Sequence, residues 1–312
     1  MTQIQRNPTE EPGPRRQTDV TLPRISIVVP NYNNGRTLAK TLESLIGQNY
    51  PDLQLIVVDG GSTDHSVEVI RRYEQHLDWW VSEKDSGQSD AINKGFARCD
   101  GEVVNWLCSD DYLTADALVR VGRYFAEDPT LDVLVGRSRL EFEVTGRTRL
   151  NEPTPAMIEL MPCGHDIAQP SCFYRRSLLE RRDPPLDPSL HYAMDFELWN
   201  FFKSQGANFR CVDDMLSICP FDGQNKSSVG GQKVIEELDM IYRRYATDER
   251  VPLVYWYRRL RLPVQKYRAA HDGHWQGKLA RMVDLAIVLA LAPFYGLGRV
   301  RALNWNFWFK AG

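Results

Sequence analysis

Five short apolar runs, each stopping at a cluster of polar residues, constrain this chain more than any other feature. They are RISIVVP from Arg24, LQLIVVD from Leu53, DWWVSE from Asp78, EVVNWLCSD from Glu102 and LDVLVG from Leu131. Nearly continuous runs of this kind, rich in β-branched and aromatic residues, belong to strands covered on both faces. Helical stretches lie between them. Leu38, Leu42, Leu45 and Ile46 share one helical face, as do Val67, Ile70 and Tyr73, and as do Leu118, Val121 and Phe125 behind Thr114 as the expected N-cap. This alternation predicts an α/β fold, a Rossmann-like mainly parallel sheet flanked by helices and joined by right-handed crossovers. Ligands of such sheets bind beyond the carboxyl ends of the strands.

Those ends are polar in this chain. The first four runs lead into PNYNNG, DGGSTD, SEKDSGQSD and CSDD. Their recurrent aspartates, with Gly60, Gly61 and Gly87, suit a site that receives a phosphorylated ligand and a cation on exposed backbone N–H groups. Neither GxGxxG nor GxxxxGK[ST] occurs, so dinucleotide-binding and P-loop readings lose their main support. The fourth end sets two adjacent carboxylates, Asp110 and Asp111, behind an apolar strand, and burying such charges is costly unless something pairs with them.

PRISIVVPNYNNGRTLAKTLESLIGQNYPDLQLIVVDGGSTDHSVEVI, followed by SEKDSGQSDAINKG and then SDD, resembles the family 2 glycosyltransferases, nucleotide-sugar enzymes of the GT-A fold. The similarity is an ordered series from Arg24 to Asp111 and extends more loosely to Ser228. It implies that Pro30 and Tyr32 embrace the nucleotide base and that Asp59 hydrogen-bonds to it. Alternatively, Tyr32 packs the first βα turn and Asp59 caps the next helix. Asp85, Gly87, Asp90 and Lys94 match the segment bordering the donor; an ordinary helix start with surface charge is the other reading. Ser109, Asp110 and Asp111 match the DxD-type motif. Asp110 would serve the ribose or the first cation shell, and Asp111 a divalent metal on the donor diphosphate, with Mg or Mn suiting these hard oxygens.

Transfer with inversion also needs a base for the acceptor hydroxyl. MDFELW matches the family's catalytic-aspartate segment and points to Asp195, with Glu197 in reserve on another side of the helix; a first-turn acid favoured by the helix dipole is the structural alternative. Gln169, beside Pro170, would line the site. Lys226 is the only cation of the loop FDGQNKSS, where relatives often close over the diphosphate, and the late His that many relatives use there is missing. Arg175 and Arg176 are candidates for phosphate or for a solvated face. The processive synthases' QxxRW motif is absent, so the resemblance implies transfer of one sugar or a few, with UDP ahead of dTDP and GDP as the expected nucleotide.

The expected organisation is a polar leader over 1–22, a catalytic domain over 23–228 split at 136 into nucleotide-binding and acceptor halves, and a helical extension over 229–312. From Val251 onward there are seven Arg and three Lys against Asp272 and Asp284, in a chain whose net charge is −3. That tail also carries Trp256, Trp275, Trp305 and Trp308, with LAIVLALAPFY too short to span a bilayer. Two readings stay open for it: an interfacial element on anionic lipid, or a subdomain packed on the core or a second subunit. No nucleic-acid motif accompanies the basic residues. Six dispersed cysteines without CxxC spacing read as reduced thiols, and the expected location is cytoplasmic, peripheral to the inner membrane face if the tail is interfacial. The expected function is an inverting transferase acting on a saccharide or lipid-linked acceptor in surface glycan synthesis. A sugar-nucleotide nucleotidyltransferase and a non-catalytic nucleotide-sugar binder are the alternatives.

Overall fold

The computed structural model describes residues 21–162, 167–223, 226, 231–246, 256–271 and 273–302. The expected leader lies almost wholly outside the described residues, as do Trp305, Trp308 and most of the loop around Lys226. The first half is the α/β unit expected. Strands β1 (Ile25–Asn31), β2 (Leu53–Asp59), β3 (Trp79–Ser82) and β4 (Val103–Trp106) pair in parallel in the order β3-β2-β1-β4. Helices α1 (Gly35–Ile46), α2 (Ser66–Tyr73) and α3 (Gln88–Phe96) connect them.

Why the runs are continuous is visible in β1, all seven residues of which are buried. Successive side chains leave on opposite faces. Val28 joins Ile56, Val58 and Trp106 in one core, while Ile25, Ile27 and Val29 join Leu38, Leu42 and Val57 in the other. Both faces are covered, so the run is apolar except at Ser26, whose hydroxyl donates to Gln54 Oε1 at 2.6 Å, and at its terminal Asn31.

The second half departs from a simple continuation. After β5 (Tyr112–Leu113) and α4 (Ala117–Glu127), the LDVLVG run becomes β6 (Val133–Phe142), which does not lie beside β4. An antiparallel strand, β8 (Cys172–Arg175), is inserted between them, and β6 then pairs in parallel with the long β9 (Phe209–Phe221). A short β7 (Arg147–Asn151) folds back on the end of β6 and is followed by α5 (Pro155–Leu160). Local details also differ. Thr114 does not cap α4; Asp116, at φ 56°, holds that position with no side-chain cap, and the Thr114 hydroxyl donates to the Met215 carbonyl at 2.6 Å. On α2 the buried positions are Ser66, Val69 and Ile70, with Val67 half-buried.

Helix α6 (Met194–Ser204) is buried nearly all round, and α7 (Gly231–Tyr245) packs against it through Val234, Leu238, Ile241 and Tyr242. A π-helical turn (Tyr257–Arg261), α8 (Leu262–Ala270), α9 (Trp275–Tyr295) and α10 (Leu297–Ala302) complete the described chain. Arg261 and Asp284, both buried, form a paired contact at 2.8 and 3.1 Å that ties the turn to α9. Among the described residues no helix is long and apolar enough to cross a membrane.

Candidate active site

The carboxyl ends of β1, β2, β3 and β4 meet on one rim, and their loops are stitched together by side chains. Asp59, fully buried at the end of β2, accepts from Asn31 Nδ2 at 2.7 Å, Ser62 Oγ at 2.5 Å, Ser62 N at 2.9 Å and Ser82 Oγ at 2.6 Å. Burial pushes this carboxyl upward, but the Ser62, Ser82 and Asn31 donors outweigh it and leave the group below its ordinary range. Asp59 thus organises three strand ends at once, with its four lone-pair positions taken. Asn33 Oδ1 accepts from Thr63 N at 2.8 Å, and Asp64 accepts from Gly35 N at 2.9 Å, which fastens the first loop to the second. Pro30 is buried beneath this seam, and Tyr32 stands out at the rim, 64 % exposed.

Loop three is fitted to loop two through a glycine. A Cβ on Gly60 would sit 2.5 Å from Asp85 Oδ2, so the close approach of that carboxylate requires glycine there. Asp85 in turn accepts from the N–H of Gly87 at 2.9 Å. Gly87 opens α3 at φ 117°, a region that side chains disfavour. Asp90 accepts from Ser86 N at 3.0 Å, and Lys94 pairs with Glu83 at 3.0 Å and Asp90 at 3.5 Å. The structure therefore sets Asp85 and Gly87 at the junction of the loops and engages Asp90 and Lys94 with local partners.

The Ser109–Asp111 turn is held from α1. Asn34 Nδ2 donates to Ser109 Oγ at 3.1 Å, Thr37 Oγ1 to the Ser109 carbonyl at 2.7 Å and Thr41 Oγ1 to the Asp111 carbonyl at 2.8 Å. Residues 34, 37 and 41 recur on one helical face, a polar stripe that the apolar reading of α1 passed over. The side chains of Cys108, Asp110 and Asp111 lie close enough to share a cation, with one ligand atom from each within 4.8 Å of the others. Asp111 is driven well above the ordinary carboxylate range, first by burial and then by the neighbouring Asp110, against a stabilising hydrogen bond from Cys219. Such a pair must hold either a proton or a cation. The two hard carboxylate oxygens therefore fit a divalent ion such as Mg or Mn, with the Cys108 thiol lying beside them.

Asp195 lies in the first turn of α6. The Cys108 thiol is raised by burial first and then by the charges of Asp111, Asp110 and Asp195, with Lys226 opposing, so Asp195 and Lys226 act on the same sulfur that sits beside the two adjacent acids. Ser89 Oγ, on α3, donates to the Leu190 carbonyl at 3.0 Å and contacts Met194 Sδ at 3.2 Å, which joins the third loop to the start of α6. Burial lifts the Asp195 carboxyl to about 6, with Glu237 adding to the rise and the Phe196 N–H, 2.7 Å away, opposing it. Lys226 reaches Gln88 Oε1 at 3.1 Å, and Gln88 Nε2 contacts Cys108 Sγ at 3.3 Å. Gln169 donates to Asn105 Oδ1 at 3.0 Å and to the Trp106 carbonyl at 2.8 Å, bracing the end of β4; its own buried Oε1 meets no donor among the described residues.

Glu197 is placed differently. It is fully buried and meets Arg182 through two bonds at 2.8 and 2.5 Å, Arg244 at 2.9 Å and the Tyr245 hydroxyl at 2.5 Å. Its role is to bind α6 to α7. Arg175 and Arg176 are held at the opposite end of β4, by Glu102 and the Gly101 carbonyl, away from the rim.

Residues 26–183, just over half of the chain, match the family model described as glycosyl transferase family 2. The chain belongs to that family. The chain is 32% identical over 196 residues to a PGL/p-HBAD biosynthesis glycosyltransferase of Mycobacterium tuberculosis, a match covering 62% of this chain and 71% of that protein. It is 30% identical over 178 residues to an uncharacterized glycosyltransferase of Nostoc sp., covering 53% of this chain and 54% of the relative, so the match spans about half of that relative's length. Its fold is GT-A. The TarS 1–349 structure of Staphylococcus aureus, in complex with UDP-GlcNAc, superposes with a TM-score of 0.58 at 17% identity and 91% coverage of both chains. The mannosyltransferase PcManGT of Pyrobaculum calidifontis, in complex with GDP-Man and Mn2+, superposes with a TM-score of 0.52 at 21% identity, covering 91% of this chain and 76% of that one.

Proposed function

We propose that this family 2 chain is a metal-dependent, inverting glycosyltransferase that moves a sugar from a nucleotide-sugar, UDP-linked by first preference, to a saccharide or lipid-linked saccharide in glycan synthesis. The observation that carries this reading is the grouping of Asp110 and Asp111 beside Cys108, within the electrostatic reach of Asp195 and Lys226. One face of the site offers carboxylates to a cation, and the other offers a carboxylate titrating at about 6 to a proton. Mg or Mn bound at Asp111, with Asp110 and Cys108 beside it, would offset charge building on the departing diphosphate. Asp195 takes the proton of the acceptor hydroxyl, and a value near 6 leaves it ionised at neutral pH yet basic enough to act. Tyr32 supplies the exposed ring for the base, and Pro30 with Asp59 shapes the loop beneath it. Asp85 and Gly87 border the sugar-diphosphate, Lys226 adds positive charge, and Gln169 lends its unpartnered oxygen to the acceptor side.

The extension completes this reading with a peripheral membrane contact. Helix α9 turns Gly277, Ala280, Asp284 and Val288 to the protein, while Trp275, Leu279, Met282, Leu285, Leu289 and Phe294 point outward. Phe294 is 80 % exposed and Trp275 70 %. Apolar patches of that extent mark interaction surfaces. Among the described residues of 256–302 the single carboxylate, Asp284, is buried on Arg261, so the surface there is apolar, aromatic and cationic. Anionic lipid complements it, whereas a symmetric dimer through the same face would bring like charges together.

Thermal unfolding tests the core of the proposal. UDP, GDP and dTDP are compared with and without Mn2+. One nucleotide is expected to raise the transition only when Mn2+ is present, by an amount that grows with ligand concentration because binding selects the folded state. Asp111→Ala is expected to abolish that Mn2+-dependent shift; an unchanged shift defeats the metal assignment.

A further inference from the structure

Helix α6 has no cap of its own: Ala193 occupies the N-cap position and provides no side-chain hydrogen bond. The cap comes from another helix. Glu237, on α7 and 8 % exposed, accepts from His191 N at 2.7 Å through Oε1, and from Tyr192 N at 2.7 Å and Ala193 N at 2.8 Å through Oε2. Three successive amides at a helix entrance are donors that the helix cannot satisfy itself, and a carboxylate there also meets the positive end of the helix dipole. Asp195 follows two residues after the last of them.

We propose that Glu237 is the positioning residue for Asp195: by gathering the amides of residues 191–193 it fixes the first turn of α6 and with it the direction of the Asp195 carboxylate. This rests on the reading of Asp195 as the base. The helix of the C-terminal extension that carries Glu237 is therefore part of the catalytic apparatus rather than an appendage. A second contact lets the idea be isolated. Glu197 on α6 binds Arg244 and Tyr245 of α7 independently, so the two helices stay docked when Glu237 is altered. Glu237 also places a negative charge beside Asp195. The other groups facing Asp195 are Lys226, after β9, and the thiols of Cys108, after β4, and Cys172, at the start of β8.

Glu237→Gln keeps the shape and removes the charge, setting an amide NH2 against one of the three N–H donors. Its amide hydrogen exchange at residues 191–193 is expected to quicken at least tenfold, and the Asp195 carboxyl, followed by 13C NMR, to titrate at lower pH than in the unaltered chain. UDP release from UDP-GlcNAc with Mn2+ is expected to lose about tenfold in kcat with KM and the thermal midpoint nearly unchanged. Glu237→Asp restores the charge without the reach: titration returns toward the original while exchange stays fast, and this variant carries the exchange test if the Gln form does not fold. Unaltered exchange and titration, or kcat and KM falling together, overturn the proposal. If Asp195→Asn turns over normally, the base assignment has failed; if Asp195→Asn is inactive and Glu237→Gln behaves as the unaltered chain, the positioning role has failed.

Discussion

Helix N-termini favour ionised carboxylates, yet Asp195 in the first turn of α6 is held at about 6 because burial outweighs the dipole and the Phe196 N–H. As a base it must be ionised. Turnover is therefore expected to fall about tenfold per pH unit below 6 and to level off above about 7, measured as kcat against pH. Stability runs the other way. The folded chain binds a proton at Asp195 more readily than the unfolded chain between the ordinary carboxylate value and about 6, so stability is lost as pH rises through that window. Asp195→Asn should then be more stable than the unaltered chain at pH 8, by about 1 to 2 kcal/mol after discounting its partial exposure, while its turnover collapses. Urea midpoints and single-turnover rates, measured on one preparation, check both halves. Glu197 has the opposite sign: burial raises its carboxyl, the Arg182 pair outweighs that, and the net lowering adds stability above the unfolded value that is lost as pH falls through the folded one.

At the scale of elements, two clamps decide where the acids point. Helix α1 holds the Ser109–Asp111 turn with Asn34, Thr37 and Thr41. Thr37→Val keeps the shape but strips the Ser109 carbonyl of its donor. It should cost about 1 kcal/mol in the urea midpoint and weaken Mn2+-dependent nucleotide binding several-fold by calorimetry. The second clamp is the Glu197 network between α6 and α7. Glu197→Gln leaves Arg182 and Arg244 without their shared counter-charge, and a loss of about 3 kcal/mol is expected in chemical unfolding. The two acids of MDFELW are two residues apart, and the sequence ranks Asp195 over Glu197 by its match to the family's segment without showing what either one meets. Their surroundings separate because Arg182, Arg244 and Tyr245 converge on Glu197, while Asp195 is left to the electrostatic influence of Glu237, Lys226 and Cys108.

For the whole molecule, α9 turns a row of large apolar side chains outward, and the expected partner is an anionic lipid surface. The full chain should float with vesicles rich in phosphatidylglycerol and not with phosphatidylcholine alone, and added salt should release it as screening shortens the reach of its cations. Leu285→Glu with Leu289→Glu should remove flotation and leave nucleotide binding intact; a doubled mass by light scattering without flotation would assign the face to a second copy instead. The sequence alone determined the four doubly covered parallel strands of the first half, since short β-rich apolar runs alternating with amphipathic helical stretches fit a sheet covered on both faces, and the order of the polar strand ends. It also determined that Asp110 and Asp111 would stand together at the end of β4. Only the tertiary structure decided that β8 would enter between β4 and β6, that Glu197 would be consumed by arginines, and that Glu237 would cap α6 from 44 to 46 residues away. Periodicity records which face of an element is buried. It does not record which distant donors saturate a given carboxylate, because that depends on where separate elements meet in space.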